Sequence, residues 1–303
     1  MILMINLRRN YLENSNNIPS YNDLPLAERL NICLNNFSQY IELNNMIPNT
    51  SGVEKKLFSF GIPSLDEILG GGIPAGSNVL IEDEIGAEAD PFVLQFLAEG
   101  LRAGEYGYIF STEHPYEYYN EIMTGIGVNP DMLEATGRLK FIDAFSNPFG
   151  YTDVKTSHEH AVHNLSQPRE INETIRRSFL HVQNQQILKR GIIVSLSSIV
   201  YAADDSKKII FSFLQNRLAS NKREGSVTTF TLHHDAHDPI LVRAIEHNCD
   251  VTIRVTKSQT NAERPITEVR VINVKGKPEL TGEPVLFEFI SGKIIPYYEE
   301  KMF

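Results

Sequence analysis

Two cysteines, Cys33 and Cys249, are all that this chain of 303 residues contains. Their number and separation exclude a disulfide framework and a CxxC metal site, so a reducing cytoplasm is the expected setting. Long hydrophobic runs are also missing. No apolar stretch reaches the ~18 residues of a membrane-spanning helix. The longest, Gly191 to Ala203, reads as a buried strand and its exit loop. The opening MILMINLRRN turns polar after five apolar residues, so it does not read as a secretory signal. Positive charge is scarce: 28 Lys and Arg against 38 Asp and Glu leave a net −10. Such a chain is repelled by nucleic acid at long range. Its short basic clusters, Lys55-Lys56, Arg176-Arg177, Lys207-Lys208 and Lys222-Arg223, are equally well explained as solvated helix faces. Direct nucleic-acid binding and membrane partners are therefore not expected.

What is present is a globular composition, 42% hydrophobic, with enough apolar residues for a sizeable core. Residues 1–55 stand apart as an Asn-rich extension punctuated by Pro19, Pro25 and Pro48. Within it Leu26, Leu30, Cys33, Leu34, Phe37 and Ile41 fall at helical spacing, predicting one amphipathic helix between Leu24 and Leu43. That helix would pack on the core domain or serve a partner contact. Residues 56–303 form a second region in which short apolar runs alternate with helical stretches. Strands are predicted at 78–82, 106–111, 138–143, 191–195, 228–232 and 251–255, and helices at 91–103, 115–126, 172–189, 206–222 and 239–248. This is the pattern of a mostly parallel α/β sheet flanked by helices. The end changes character: 268–274, 284–290 and 293–298 alternate as antiparallel strands. Residues 144–170 read as a long loop.

The strand NVLIE leads into Asp83-Glu84-Ile85-Gly86-Ala87-Glu88-Ala89-Asp90 and then the helix PFVLQFLAEGLRAG. Strand, turn and helix make the frame of a P-loop, in which amides cradle phosphate, a Lys reaches the β/γ-phosphates and a Ser/Thr holds Mg²⁺. The segment before it, FGIPSLDEILGGGIPAGS from Phe60 to Ser77, resembles the lead-in of KaiC-like members of the RecA superfamily. In that family the next residues run approximately I-x-G-x-x-G-x-G-K-T-x-F. Laid on Ile81 to Phe92, only Gly86 keeps its glycine. Asp83 and Glu88 replace two others, Ala89 stands at the Lys and Asp90 at the Ser/Thr. The loop thus carries Glu82, Asp83, Glu84, Glu88 and Asp90 with no cation of its own, and like charges at ~4 Å repel by several kcal/mol in a partly buried site. No cofactor is expected, and ATP with Mg²⁺ by the usual mode is disfavoured. A cation or a basic surface would suit such a loop better.

The same resemblance identifies three further positions of the mechanism. IFSTEHPYEY, from Ile109 to Tyr118, is similar to the strand end whose glutamates activate water; Glu113 keeps the first and His114 replaces the second. RGIIVSLSSI resembles the Walker B strand, with Ser195 where the Mg²⁺-ordering Asp belongs. NVKG, Asn273 to Gly276, is similar to the K-x-R-G motif that reaches a neighbour's ATP in ring-forming relatives, with Asn273 and Lys275 in place of Lys and Arg. No catalytic residue is expected beyond the remnant Glu113. Ser195, His233, His234 and Lys275 are expected around the former pocket.

Two histidine groups remain. His158, His160 and His163 lack the HExxH pattern of a metalloprotease. His233, His234 and His237 follow a predicted strand, with Asp235 and Asp238 either beside them or capping the next helix. No metal is expected; Asp90, Glu113, His233 and His234 are the weak candidates. Tyr116, Tyr118 and Tyr119 serve either packing or base stacking. The expected function is a catalytically inactive RecA/KaiC-like protein with a regulatory, scaffold or partner-binding role, its partner being a protein such as a second copy or an active paralogue. The alternatives are a non-hydrolysing nucleotide or small-ligand binder, a recombinase-paralogue-like DNA-repair accessory protein, and a metal-dependent enzyme using the acidic loop and histidines.

Overall fold

The computed structural model describes residues 56–87, 89–149, 158–182, 187–258, 265–290 and 293–297. The amphipathic helix expected between Leu24 and Leu43 lies outside them. A two-stranded hairpin, β1 (Leu57–Phe58) and β2 (Ile73–Pro74), brackets a short helix α1 (Pro63–Ile68). At Gly72 the backbone takes φ 130°, and a β-carbon there would sit 2.6 Å from the Phe58 carbonyl oxygen. Only glycine allows this close approach between the two strands.

Ten strands then form one sheet. In chain order they are β3 (Asn78–Asp83), β4 (Tyr106–Ser111), β5 (Leu139–Asp143), β6 (His160–Ala161), β7 (Lys189–Val194), β8 (Val227–His233), β9 (Val251–Lys257), β10 (Ile266–Val274), β11 (Val285–Ile290) and β12 (Lys293–Pro296). Across the sheet they run β12-β11-β10-β9-β3-β8-β7-β4-β5-β6. Pairings from β9 through β6 are parallel; β9–β10, β10–β11 and β11–β12 are antiparallel. The expected RecA-like mostly parallel sheet with antiparallel strands added at its C-terminal end is the observed one.

Helices cover both faces because the parallel strands are apolar on both. Val79 and Ile81 point into one core with Phe92, Phe96 and Leu97, whereas Leu80 points into the other with Phe213, Phe230 and Leu241. This period of two is the strand signature. The first core lies under α2 (Asp90–Arg102), α3 (Tyr116–Gly125) and α4 (Pro130–Ala135). The second lies under α5 (Pro168–Ser178), α6 (Leu196–Ala202), α7 (Lys207–Glu224) and α8 (Pro239–Asn248). Two expectations are corrected. The helix predicted to run to residue 189 ends at Ser178, and Lys189 already belongs to β7. The exit loop after Val194 is a helix, α6. Among the described residues no helix is long and apolar enough to cross a membrane.

A buried cation ties the first core to the sheet. Arg190, 2% exposed, donates from Nε to Glu105 at 2.6 Å and from one Nη to the carbonyls of Phe96, at 2.8 Å, and Ser59. Its guanidinium lies 4.5 Å from the centre of the Phe96 ring. Gly100 leaves room for it inside α2, since a β-carbon there would collide with the Arg190 side chain. Replacing Arg190 by Met would leave the Glu105 carboxylate buried and uncompensated, at a cost of about 3–5 kcal/mol. Urea unfolding of Arg190→Met reads this directly; a loss below about 1 kcal/mol would place the pair in the class of exposed ion pairs.

Candidate functional site

Four neighbouring strands, β3, β8, β7 and β4, end at the same carboxyl edge, where open α/β sheets bind ligands. Each contributes one side chain to a continuous hydrogen-bonded chain. Asp83, last in β3, lies in register with His233, last in β8, and its Oδ1 is 2.9 Å from His233 Nδ1. His233 Nε2 is 2.8 Å from Oε1 of Glu113, just beyond β4. The same Glu113 oxygen accepts the Ser195 hydroxyl at 2.5 Å, just beyond β7. Thr112 fixes that end by accepting the Ser195 N–H at 2.8 Å.

The electrostatics follow from this geometry. Both ring nitrogens of His233 face carboxylates, so the ring is held as imidazolium. The hydrogen bond to Asp83, then that to Glu113, push its pKa from 6.5 up to about 10. Burial works to raise the Glu113 carboxyl, but the hydrogen bonds from His233 and Ser195 outweigh it and hold the group below its usual value. With a carboxylate at each ring nitrogen, His233 acts here as a charge partner of Asp83 and Glu113.

The remaining acids of the loop are also answered. Glu82 is fully buried and in register with Arg254 of β9. Arg254 grips its Oε2 at 3.0 and 2.7 Å and reaches Glu246 at 3.1 Å. Burial pushes the Glu82 pKa up to about 7 against that pairing. Glu84 accepts the backbone N–H of Lys257 at 2.6 Å. The Lys257 ammonium rests against Gly86, whose φ is 80°. Asp90 accepts the Tyr118 hydroxyl at 3.1 Å, with His114 3.9 Å away and stacked on Tyr118. Burial pushes its pKa up to about 6. Ala89 is buried, and Glu88 lies outside the described residues. Among the described residues, the acids of the loop therefore do not face solvent as unpaired negative charge. The loop has no cation of its own, and Arg254, His233 and Lys257 on the neighbouring strands supply the positive charge.

The other expected pocket residues fall elsewhere. His234 pairs with its neighbour Asp235 at 3.2 Å, half-exposed and outside the chain of hydrogen bonds. Lys275 does not join the pocket. β10 runs antiparallel to β9, so Asn273 and Lys275 lie at the opposite edge, where Lys275 N–H donates to Asp250 beside the start of β3. Asp238 caps α8, accepting from Ile240 and Leu241 at 2.6 and 3.3 Å, and Ser197 bridges His237 to the His233 backbone. Tyr116 and Tyr119 pack on Phe141. Arg254 and Lys257 had escaped the sequence reading; the signal was their place in VTIRVTK, three and six residues after its first residue, Val251, where pairing with β3 begins.

The sign of the pH dependence is fixed by these pairings. His233 is raised from 6.5 to about 10, so its stabilisation is fully present below about 6.5 and is lost as pH rises through about 10. Denaturant midpoints of the wild type are expected to fall from pH 7 to 10.5 more steeply than those of His233→Asn. Parallel curves would show that the ring is neutral.

Comparison with known proteins places the site in a family. The model described as "ATPase: KaiC" matches residues 58–291. A UPF0273 protein of Thermotoga maritima is 34% identical over 140 residues, 46% of this chain and 55% of that protein. Circadian clock protein KaiC3 of Synechocystis is 30% identical over 159 residues, 50% of this chain and 31% of that protein. The matched stretch thus spans about half, or less, of these curated relatives. The crystal structure of the KaiC-like protein PH0186 of Pyrococcus horikoshii shares the fold, with a TM-score of 0.59 at 20% identity over 81% of this chain and all of that one. Domains of this family normally bind ATP and Mg²⁺, which overturns the expectation of no cofactor. Lys257 lies beside Gly86 in the turn that precedes α2. With the family model matched over most of its length and the sheet and strand-end site in place, this chain belongs to the KaiC family of ATPases.

Proposed function

We propose that this KaiC-family chain does not turn over ATP and works by binding a protein partner, in a regulatory or scaffold role. The observation that carries this is the double engagement of Glu113. In its relatives a glutamate here takes a proton from attacking water. In this chain the reactive oxygen already accepts hydrogen bonds from Ser195 and from the His233 imidazolium. Both lower its basicity, and a general base works best with a pKa near the operating pH. Ser195 adds no carboxylate to order a metal. The proposal concerns turnover and leaves nucleotide binding in place. A second reading, a nucleotide binder without hydrolysis, is supported by Lys257 against Gly86.

An active general base is worth about 10²–10⁴ in rate. Glu113→Gln is therefore expected to leave ATP consumption at the wild-type background in a steady-state assay. A fall of that size would show that Glu113 is a working base and defeat the proposal. The second reading is checked by thermal shift with ATP–Mg²⁺: stabilisation that grows as RT ln(1 + [L]/Kd) and shrinks in Lys257→Ala supports it, and no shift in either protein removes it.

A further inference from the structure

At the amino-terminal edge of the sheet, away from the strand-end site, a groove of about 1300 Å³ opens between α5 and α7 and reaches the start of β7. Six basic residues and two acidic ones line it, in a chain whose net charge is −10. Both acids are already engaged. Glu173 pairs with Arg176 at 2.7 Å, and Glu224 pairs with Lys189 at 2.5 Å and Arg223 at 3.5 Å. Lys56, Arg169 and Arg217 make no ion pair among the described residues.

Arg217 is the unusual member. It is 5% exposed, and its charge meets the Glu224 carboxylate, which pairs directly with Lys189, without forming a direct ion pair of its own. One Nη donates to Asn172 Oδ1 at 3.3 Å. Its Nε, and the Nδ2 of that same Asn172, are buried donors without an acceptor among the described residues. A buried donor left without an acceptor is destabilising unless it is met. The residues that line the groove thus include a guanidinium and an amide with unmet donors, and a guanidinium fork suits a carboxylate.

Size and wall chemistry narrow the occupant. The volume exceeds the ~300–1,000 Å³ of an ordinary small-molecule site, so an extended ligand fits better. Apolar Ile175 and Leu188 line it together with the charged residues. The one aromatic ring, Phe179, is engaged by Lys189 at 4.9 Å and by Tyr108 at 6.1 Å, which removes the stacking platform that single-stranded nucleic acid uses. We propose that the groove between α5 and α7 docks an acidic polypeptide segment of a protein partner, with carboxylates on Arg169 and Arg217 and apolar side chains between them. This rests on the partner-binding reading above and is independent of ATP turnover.

Fluorescence anisotropy with a labelled peptide alternating Glu and Leu tests it on the full chain. The peptide is expected to bind at physiological ionic strength and to weaken as salt rises. The counterpart alternating Gln and Leu is expected to bind at least about tenfold more weakly. The exposed substitution Arg169→Glu is expected to cost about tenfold or more, whereas Lys293→Glu on the outermost strand, β12, has no effect. Arg217→Met should weaken binding as well, with its melting temperature recorded to separate loss of fold from loss of site. Absence of binding, equal binding of the Gln peptide, indifference to Arg169→Glu, or tighter binding of labelled oligothymidylate would each overturn the proposal. Peptide binding in a protein that also hydrolyses ATP would retain this site and remove only the claim about turnover.

Discussion

The strand-end site depends on one interaction, the His233 imidazolium held between Asp83 and Glu113. Three parallel strands would otherwise bring two carboxylates together at the carboxyl edge of the sheet with nothing to offset them. In an ATPase a metal ion and a lysine carry that positive charge. In this chain the protein supplies it from the end of β8. Once the ring is charged, Glu113 is held as an acceptor, Ser195 is oriented toward it, and the Asp83 end of the turn is fixed.

The same solution recurs along β3. Glu82 and Arg254 are register partners, as are Asp83 and His233. The two strands beside β3 each provide the cation for one of its acids. A fully buried carboxylate such as Glu82 would be costly unpaired, so Arg254 is a structural requirement of the acidic strand rather than a surface embellishment. Lys257, three residues further along β9, reaches the turn itself. The acidic sequence of the loop is therefore mostly an internal charge balance, which is compatible with a family whose domains bind ATP and Mg²⁺.

Much of this is legible in the amino-acid order. Apolar runs such as NVLIE and YGYIFS mark the strands because both faces are buried, and the lead-in segment locates the P-loop frame. The six-residue helices at Pro63–Ile68 and Pro130–Ala135 show less than two turns of periodicity, too little to read. The charge balance is not legible from one strand at a time. Which cation meets Glu82 or Asp83 depends on β8 and β9 flanking β3 in a particular register, a property of the sheet and not of any motif. Lys275 fails for a related reason: the antiparallel return of β10 carries it to the far edge, a reversal that the motif's position in sequence does not reveal.

The protonation state of His233 tests this account most directly. Nitrogen-15 NMR of the imidazole at pH 8 distinguishes a ring with both nitrogens protonated from a neutral one. With its pKa at about 10, His233 is predicted to show two protonated ring nitrogens at that pH. A neutral ring with one bare nitrogen would contradict the charge-balanced site and free Glu113 from the partner that restrains it.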